Sequence, residues 1–335
     1  MTVLTNTVQT FQEVGIREQL SDVIFNISPT EVPFTSMARK GKATNRTPEW
    51  LRDTLRKPNA ANAQVEGTDS PTALSAGQPD RLKNVVQLFD GTVIVSDTAV
   101  AVNTAGRANE MKYQVAKEAK ALKRDIELRV TGNYGVTTGN ASTAGQMAGA
   151  EAWIATNASR GSGGSAGTYT NGTGQAAATD GTGRAFTESL LKTVIQNVWN
   201  SGGEADTIML SGAKKQTFST FGGIATQFNQ VNDQNKVMIY GAADIYKSDF
   251  GQHKVVPNRF MGGAASVRTA DSNSGLFPGQ SVLILTPNTW EIMFLQPFTT
   301  IPLARTGHAE KRLLKAECTL ACKEERGNGI IADLS

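Results

Sequence analysis

The sequence predicts an α+β fold, and three patterns carry that prediction. Asn109 to Val130 holds one apolar stripe at helical spacing: Met111, Val115, Ala119, Leu122, Ile126 and Val130. That is one face of a helix about 33 Å long. Leu314 to Cys322 alternates strictly, with Leu314, Ala316, Cys318, Leu320 and Cys322 on one face and Lys315, Glu317 and Thr319 on the other. Such period-two alternation is a half-buried strand. From Phe186 to about residue 285, helical stripes and short apolar runs alternate in the manner of an α/β lobe.

The elements follow in order. Gly15 to Phe34 reads GIREQLSDVIFNISPTEVPF. It starts as an amphipathic helix through Ile16, Leu20, Val23 and Ile24, then meets Pro29 and Pro33. Each proline lacks an N–H and disfavours helix at the preceding residue. Residues 1–35 are therefore expected to be a short helix running into an extended arm. Its apolar residues Ile24, Phe25, Ile27, Val32 and Phe34 need cover from elsewhere. Residues 36–98 contain two extended stretches, Pro48–Leu55 and Leu82–Ser96, around a connection rich in Pro, Ala, Asn, Gly and Ser. That pattern predicts a reaching β-hairpin. Its base is basic, with Arg39, Lys40, Lys42, Arg46, Arg52, Arg56 and Lys57 against Glu49 and Asp53.

Residues 99–138 hold the long helix, with Gly132 placed to end it. Lys112, Lys117, Glu118, Lys120, Lys123, Arg124 and Glu127 fall off its stripe. Residues 139–185 are Gly, Ser, Thr and Ala almost throughout, which predicts a loosely folded surface insertion tethered by Trp153 and Ile154. Residues 186–285 form the α/β lobe. It has helices at Phe186–Trp199 and Ala213–Phe228, and strands at Thr207–Ser211, Val237–Tyr246, Lys254–Val256 and Val282–Thr286. Residues 286–335 return through a strand at Trp290–Leu295, a segment bracketed by Pro297 and Pro302, and the cysteine-bearing strand. That strand is expected to pack on the long helix, so that the two lobes interleave.

Composition excludes several classes. With 335 residues, 39% hydrophobic and 19% charged, the chain is globular, and its net charge of +3 gives no global argument for nucleic-acid binding. No apolar run reaches the roughly 18 residues that span a bilayer, and MTVLTNTVQTFQEV lacks the features of a signal peptide. Cys318 and Cys322 lie about 13 Å apart on one strand, beyond the reach of about 7 Å that a disulfide allows. They read as buried core residues.

Catalytic patterns are scarce. His253 and His308 stand alone in the sequence. Gly163-Gly164-Ser165-Ala166-Gly167 has the form G-x-S-x-G, but in a low-complexity segment rather than a strand-to-helix turn. Asp271-Ser272-Asn273-Ser274-Gly275 suggests a calcium loop, yet Val282 stands where a bidentate Glu would be required. No catalytic, cofactor-binding or metal-ligating residue is expected.

The opening stretch also carries a resemblance. Gly15, Arg17, Glu18, Leu20-Ser21-Asp22, Ile24, Asn26-Ile27-Ser28-Pro29 and Pro33-Phe34 resemble the N-terminal signature of a family of tailed-bacteriophage major capsid proteins. Glu49-Trp50, Asp53-Thr54-Leu55 and Val65-Glu66-Gly67 follow in the same order. The resemblance is strongest over residues 15–130. It implies the Hong Kong 97-type fold, with an N-arm, an extended hairpin loop, a spine helix and an axial α/β lobe. It implies a shell subunit that assembles with itself into hexamers and pentamers around packaged double-stranded DNA, touched non-specifically. Portal and decoration proteins and a separate scaffold would be partners, with no membrane. The location would be the virion head, built in the host cytoplasm.

Under that resemblance Ile24, Phe25, Ile27, Pro29, Val32, Pro33 and Phe34 would grip a neighbour through the arm. Trp50, Arg52, Arg56, Lys57 and Glu66 would do so through the extended loop. An encapsulin-like compartment around protein cargo, and a soluble hydrolase or binding module, remain alternatives at this point.

Overall fold

The computed structural model describes residues 31–63, 65–67, 78–102, 109–171, 173–221, 244–261, 280–305 and 307–335. In chain order the elements are α1 (Pro33–Met37), β1 (Arg39–Lys42), β2 (Glu49–Arg52), β3 (Asp80–Lys83), β4 (Gln87–Ser96), α2 (Asp97–Ala101) and α3 (Glu110–Thr131). Next come α4 (Ala150–Trp153), β5 (Ala158–Ser159), β6 (Tyr169–Thr170), β7 (Gly174–Gln175), α5 (Glu188–Asn200), β8 (Thr207–Leu210) and α6 (Gly212–Ser219). The rest are β9 (Ile245–Ser248), β10 (Gly251–Pro257), β11 (Val282–Leu285), β12 (Trp290–Pro302), β13 (Ala309–Cys322) and β14 (Gly329–Ile331).

Two main sheets organise the chain. The first has the order β1-β12-β13-β4, the second β5-β14-β11-β8-β10-β9. Helix α3 lies across one face of the first. Its start is fixed by the Asn109 side chain, which accepts from Lys112 N–H at 2.9 Å. Leu122 and Ile126 meet Leu314 and Cys318 of β13 in one buried cluster. Gly91 on β4 leaves room for the Glu118 side chain of α3. The cysteine strand does return to the long helix. Both thiols are free and buried, and burial pushes Cys318 up to about 12.

The second sheet is covered on both faces. Along β8, Ile208 and Leu210 face α5 and α6 while Met209 enters the α3 cluster. Along β11, Val282 and Ile284 face the helices while Leu283 and Leu285 face the other way. That explains the unbroken apolar runs TIML and VLIL.

Four expectations need correction. First, residues 186–285 do not complete their own sheet. Strand β5, from the glycine-rich segment, and β14, from beyond residue 285, add the outer strands. Second, the segment 139–185 is packed rather than loose. Met147, Ala148, Ala150, Ala152 and Ile154 have no exposed surface. Its small residues let backbones meet: a Cβ at Gly149 would collide with the Gly132 carbonyl, and one at Gly161 with that of Thr182. Third, Pro297 lies inside β12, where the pairing with β13 shifts register between Phe294 and Gln296 and again between Gln296 and Thr299. A bulge tolerates the missing N–H. Fourth, Pro33 does not prolong an extended arm. It starts helix α1, where a proline costs no hydrogen bond. The strand expected at 237–246 and the calcium-like stretch at 271–275 lie largely or wholly outside the described residues.

Candidate assembly surfaces

The first candidate surface is the root of the arm. Helix α1 begins against a buried carboxylate. Glu127 of α3 accepts from Phe34 N–H at 2.7 Å, Thr35 N–H at 2.8 Å, Thr35 Oγ1 at 2.5 Å and Asn258 Nδ2 at 2.7 Å. Burial holds this carboxyl above its ordinary value, against the pull of the bonds from Thr35, Phe34 and Asn258. Phe34 sits edge-on to Trp290 at 5.5 Å between ring centres, with no exposed surface. Phe34 is thus a core residue of its own subunit and does not reach a neighbour. Burying a phenylalanine this fully contributes about 1.5–3 kcal/mol. Val32 and Pro33 are half-buried beside it. Ile24, Phe25, Ile27 and Pro29 lie outside the described residues.

The second surface is the hairpin. Strands β2 and β3 pair antiparallel with Trp50 opposite Leu82. The expected partner strand Leu82–Ser96 is therefore two elements: β3 closes the hairpin and β4 joins the first sheet. Trp50 was expected to touch a neighbour, but the structure buries it in its own subunit. Its Nε1 donates to the Cys322 carbonyl at 2.8 Å, and its ring lies 5.6 Å from Trp153. Trp153 in turn stacks on Tyr169, so both tether the glycine-rich segment and the hairpin base to the same core.

Arg52 is likewise held internally, by Asp80 at 2.9 Å and Glu325 at 3.9 Å. Beyond it the described hairpin residues 53–63 and 65–67 are exposed, including Arg56, Lys57 and Glu66. Leu51, Leu55 and Val65 present 70%, 99% and 79% of their surface to solvent. These are large apolar residues with little cover.

The third surface is the back of the first sheet. Residues paired in register share a face. Ile301 pairs with Leu313, Leu313 with Thr92, Lys311 with Ile94, and Glu317 with Leu88. These alternate with Leu314, Ala316 and Cys318, which face α3. The back therefore carries Leu88, Ile94 and Ile301, with Leu88 and Ile94 more than half exposed. On the helix side, a groove of about 270 Å³ runs between α3 and the far end of β12, lined by Met111, Val115, Ala119, Phe298 and Leu314. A fourth exposed apolar spot lies where Trp199 of α5 meets Phe250 of the β9–β10 hairpin at 5.2 Å.

Little of this resembles a catalytic centre. His253 is buried, its Nε2 at 2.6 Å from Ser248 Oγ and its Nδ1 against the Ala205 carbonyl. Ser165 sits in an isolated bridge to Thr179 rather than on a strand-to-helix turn. Among the described residues no group of three or more His, Cys, Asp or Glu is placed to hold a metal ion. Among them, too, no helix is long and apolar enough to cross a membrane.

Sequence reasoning missed Glu127, assigning it to the polar side of α3. It also passed over four buried asparagines, among them Asn258 on the Glu127 carboxylate. Asn84 bridges Leu320 O and Ala148 N, Asn157 donates to Arg326 O and Asn328 O, and Asn328 accepts from Trp290 Nε1. The only available signal was position: Glu127 flanks Ile126 at the edge of the stripe.

Comparison with known proteins agrees with this geometry. The curated major capsid protein of Escherichia phage Phieco32 is 24% identical over 357 residues, covering 96% of this chain and 95% of that one. A solved structure from Gordonia phage Cozz has a TM-score of 0.58 at 10% identity, covering 100% of this chain and 98% of that chain. The holo-SrpI encapsulin complex from Synechococcus elongatus has a TM-score of 0.53 at 10% identity, covering 95% and 92%. The fold is thus the Hong Kong 97-like capsid fold, shared by phage heads and encapsulins. The SU10 major capsid protein family model matches residues 3–335, and the chain belongs to that family as a phage major capsid protein, a structural subunit of the virion head.

Proposed function

We propose that the subunit closes into hexamers and pentamers of an icosahedral head by laying its hairpin over the bare sheet face of a neighbour. One observation carries this reading: a single chain presents a hairpin with exposed Leu51, Leu55 and Val65, and a sheet face with exposed Leu88, Ile94 and Ile301. Two different patches that match each other make heterologous contacts, which close into rings. Leu51, Leu55, Arg56, Lys57 and Glu66 are the hairpin residues in this contact. Phe34, Trp50 and Arg52 support it from within their own subunit.

Residues 1–32 act as the N-arm. Its Ile24, Phe25, Ile27, Pro29 and Val32 lie along an adjacent subunit and are rooted at the Glu127 clamp. Helix α3 is the spine of the peripheral lobe, and residues 186–285 form the axial lobe, whose Trp199 and Phe250 point toward the ring axes. The shell encloses double-stranded DNA, meets portal, scaffold and decoration proteins, assembles in the host cytoplasm and performs no catalysis.

Electron microscopy of the purified protein tests this. Wild type is expected to form closed shells, and native particles are expected to protect DNA from nuclease. The double variant Leu51→Asp, Leu55→Asp is expected to remain as unassembled subunits with an unchanged melting curve, since both positions are exposed. Normal shells from that variant would sink the hairpin-to-sheet contact.

A further inference from the structure

We infer that the solvent face of α3 is a phosphate-binding surface that lines the inside of the shell and holds packaged duplex DNA. Lys112, Lys117, Lys120 and Lys123 are all exposed on this helix. At about 100° per residue they fall within an arc of roughly 140° beside the buried stripe of Met111, Leu122 and Ile126, and Lys112 also edges the groove toward β12. Among the described residues none of the four enters an ion pair, although the helix also carries Glu110, Glu118 and Asp125. Asp125 is the one carboxylate on the helix in an exposed position, and burial of its carboxyl still raises its pKa; Glu127 is buried and committed to α1. The net charge of +3 hides this local concentration.

The chemistry favours a phosphate backbone over a folded protein partner. Between the lysines lie Ala116 and the half-buried Tyr113. One partly covered ring on this face makes neither an apolar anchor cluster nor a ladder for base stacking. What remains is a band of ammonium groups along about 16 Å of helix axis. Over that length duplex DNA presents about ten phosphate charges. Contacts of this kind are independent of sequence, as a container for a whole genome requires. The assignment also gives the subunit an inside and an outside. Helix α3 lies toward the DNA, and the apolar back of the first sheet faces away from it, where a neighbour's hairpin can cover it.

This inference rests on the shell reading, and the test separates the two. Binding of unassembled subunits to a labelled 30-base-pair duplex is measured by fluorescence anisotropy across a salt series. Each phosphate neutralised contributes about 0.9 to the slope of log affinity against log salt. The quadruple variant Lys112→Gln, Lys117→Gln, Lys120→Gln, Lys123→Gln is expected to flatten that slope by between about 1 and 4. Four Lys→Arg changes are expected to preserve the slope. Lys247→Gln with Lys254→Gln, exposed on the β9–β10 hairpin, is expected to leave it unchanged.

Circular dichroism of each variant checks that the helix is intact. An unchanged slope in the quadruple Gln variant overturns the inference. It does so equally if variant shells lose an acidic internal protein, since the face would then be a protein-docking site. Failure of the wild type to form shells would refute the shell reading instead, and the salt slope would still decide whether these lysines bind phosphate.

Discussion

Glu127 sets an unusual sign for one part of the pH dependence. Burial raises its carboxyl above the ordinary value, while hydrogen bonds from Thr35, Phe34 and Asn258 pull it down without cancelling the burial. Folding therefore takes up a proton between the ordinary value and the raised one. Stability from this group is fully present below the ordinary value and is lost as pH rises through the raised value. Glu127→Gln keeps the volume but turns an amide donor toward groups that already donate. We expect it to cost about 1–3 kcal/mol. In urea unfolding across the acid-to-neutral range, the wild-type advantage over the Gln variant is expected to shrink as pH rises. An advantage that grows with pH would contradict the assignment. None of this was legible in the sequence. An acidic residue beside a helical stripe looks like surface until the α1 N–H groups that bind it are known.

At the level of elements, legibility follows how local the cause is. Helix α3 was readable almost to the residue, Asn109–Val130 against Glu110–Thr131, because its stripe, its Asn109 cap and Gly132 all lie within its own sequence. The hairpin was readable because its strands bound an obvious connection. Where β3 ends and β4 begins was not, since that boundary is set by β13, more than two hundred positions away in the chain. The glycine-rich segment was misread for a related reason. Its order comes from backbone approach to Gly132 and Thr182, and composition carries no record of which distant carbonyl a glycine will meet.

The hairpin also separates stability from assembly. Trp50 fixes the base, through Cys322 and Trp153, whereas Leu55 is exposed and contributes nothing within the subunit. Trp50→Ala is expected to lower subunit stability by about 3–5 kcal/mol. Trp50→Phe, which retains a ring and loses the indole bond, should lose about 1 kcal/mol. Chemical denaturation monitored by circular dichroism reads both. Equal losses would show that the hydrogen bond rather than the ring anchors the hairpin.

For the whole molecule, the boundary between arm and body lies a little earlier than the prolines suggest. The body includes Phe34 and Thr35, because Trp290 and Glu127 hold them. Removing residues 2–30 is expected to leave the melting temperature nearly unchanged and to abolish shells under the electron microscope. Removing residues 2–37 is expected to destabilise the subunit itself, by taking a buried ring from the core and leaving the Glu127 carboxylate without two of its backbone donors. If the shorter deletion still forms normal shells, the arm is not an intersubunit strap. The α+β architecture was legible at this scale, since the order of hairpin, long helix and alternating helices and strands survives in the pattern of stripes and alternation. The sharing of one sheet among three separated stretches was not, because β5 and β14 are too short to announce themselves.

That sharing has a consequence for synthesis. Strand β14 follows every other strand in chain order, yet it sits inside the second sheet, between β5 and β11. Until it leaves the ribosome, β11 keeps an open edge and Val194 and Val198 of α5 lack their cover at Gly329. A nascent chain therefore cannot finish its body before residues 329–331 have emerged. The first sheet waits in the same way, since β4 finds its partner only in β13 and Trp50 its acceptor only at Cys322, so this ordering acts as a timer. Only chains translated through β14 reach the complete sheet, so shorter products are expected to stay out of the growing lattice.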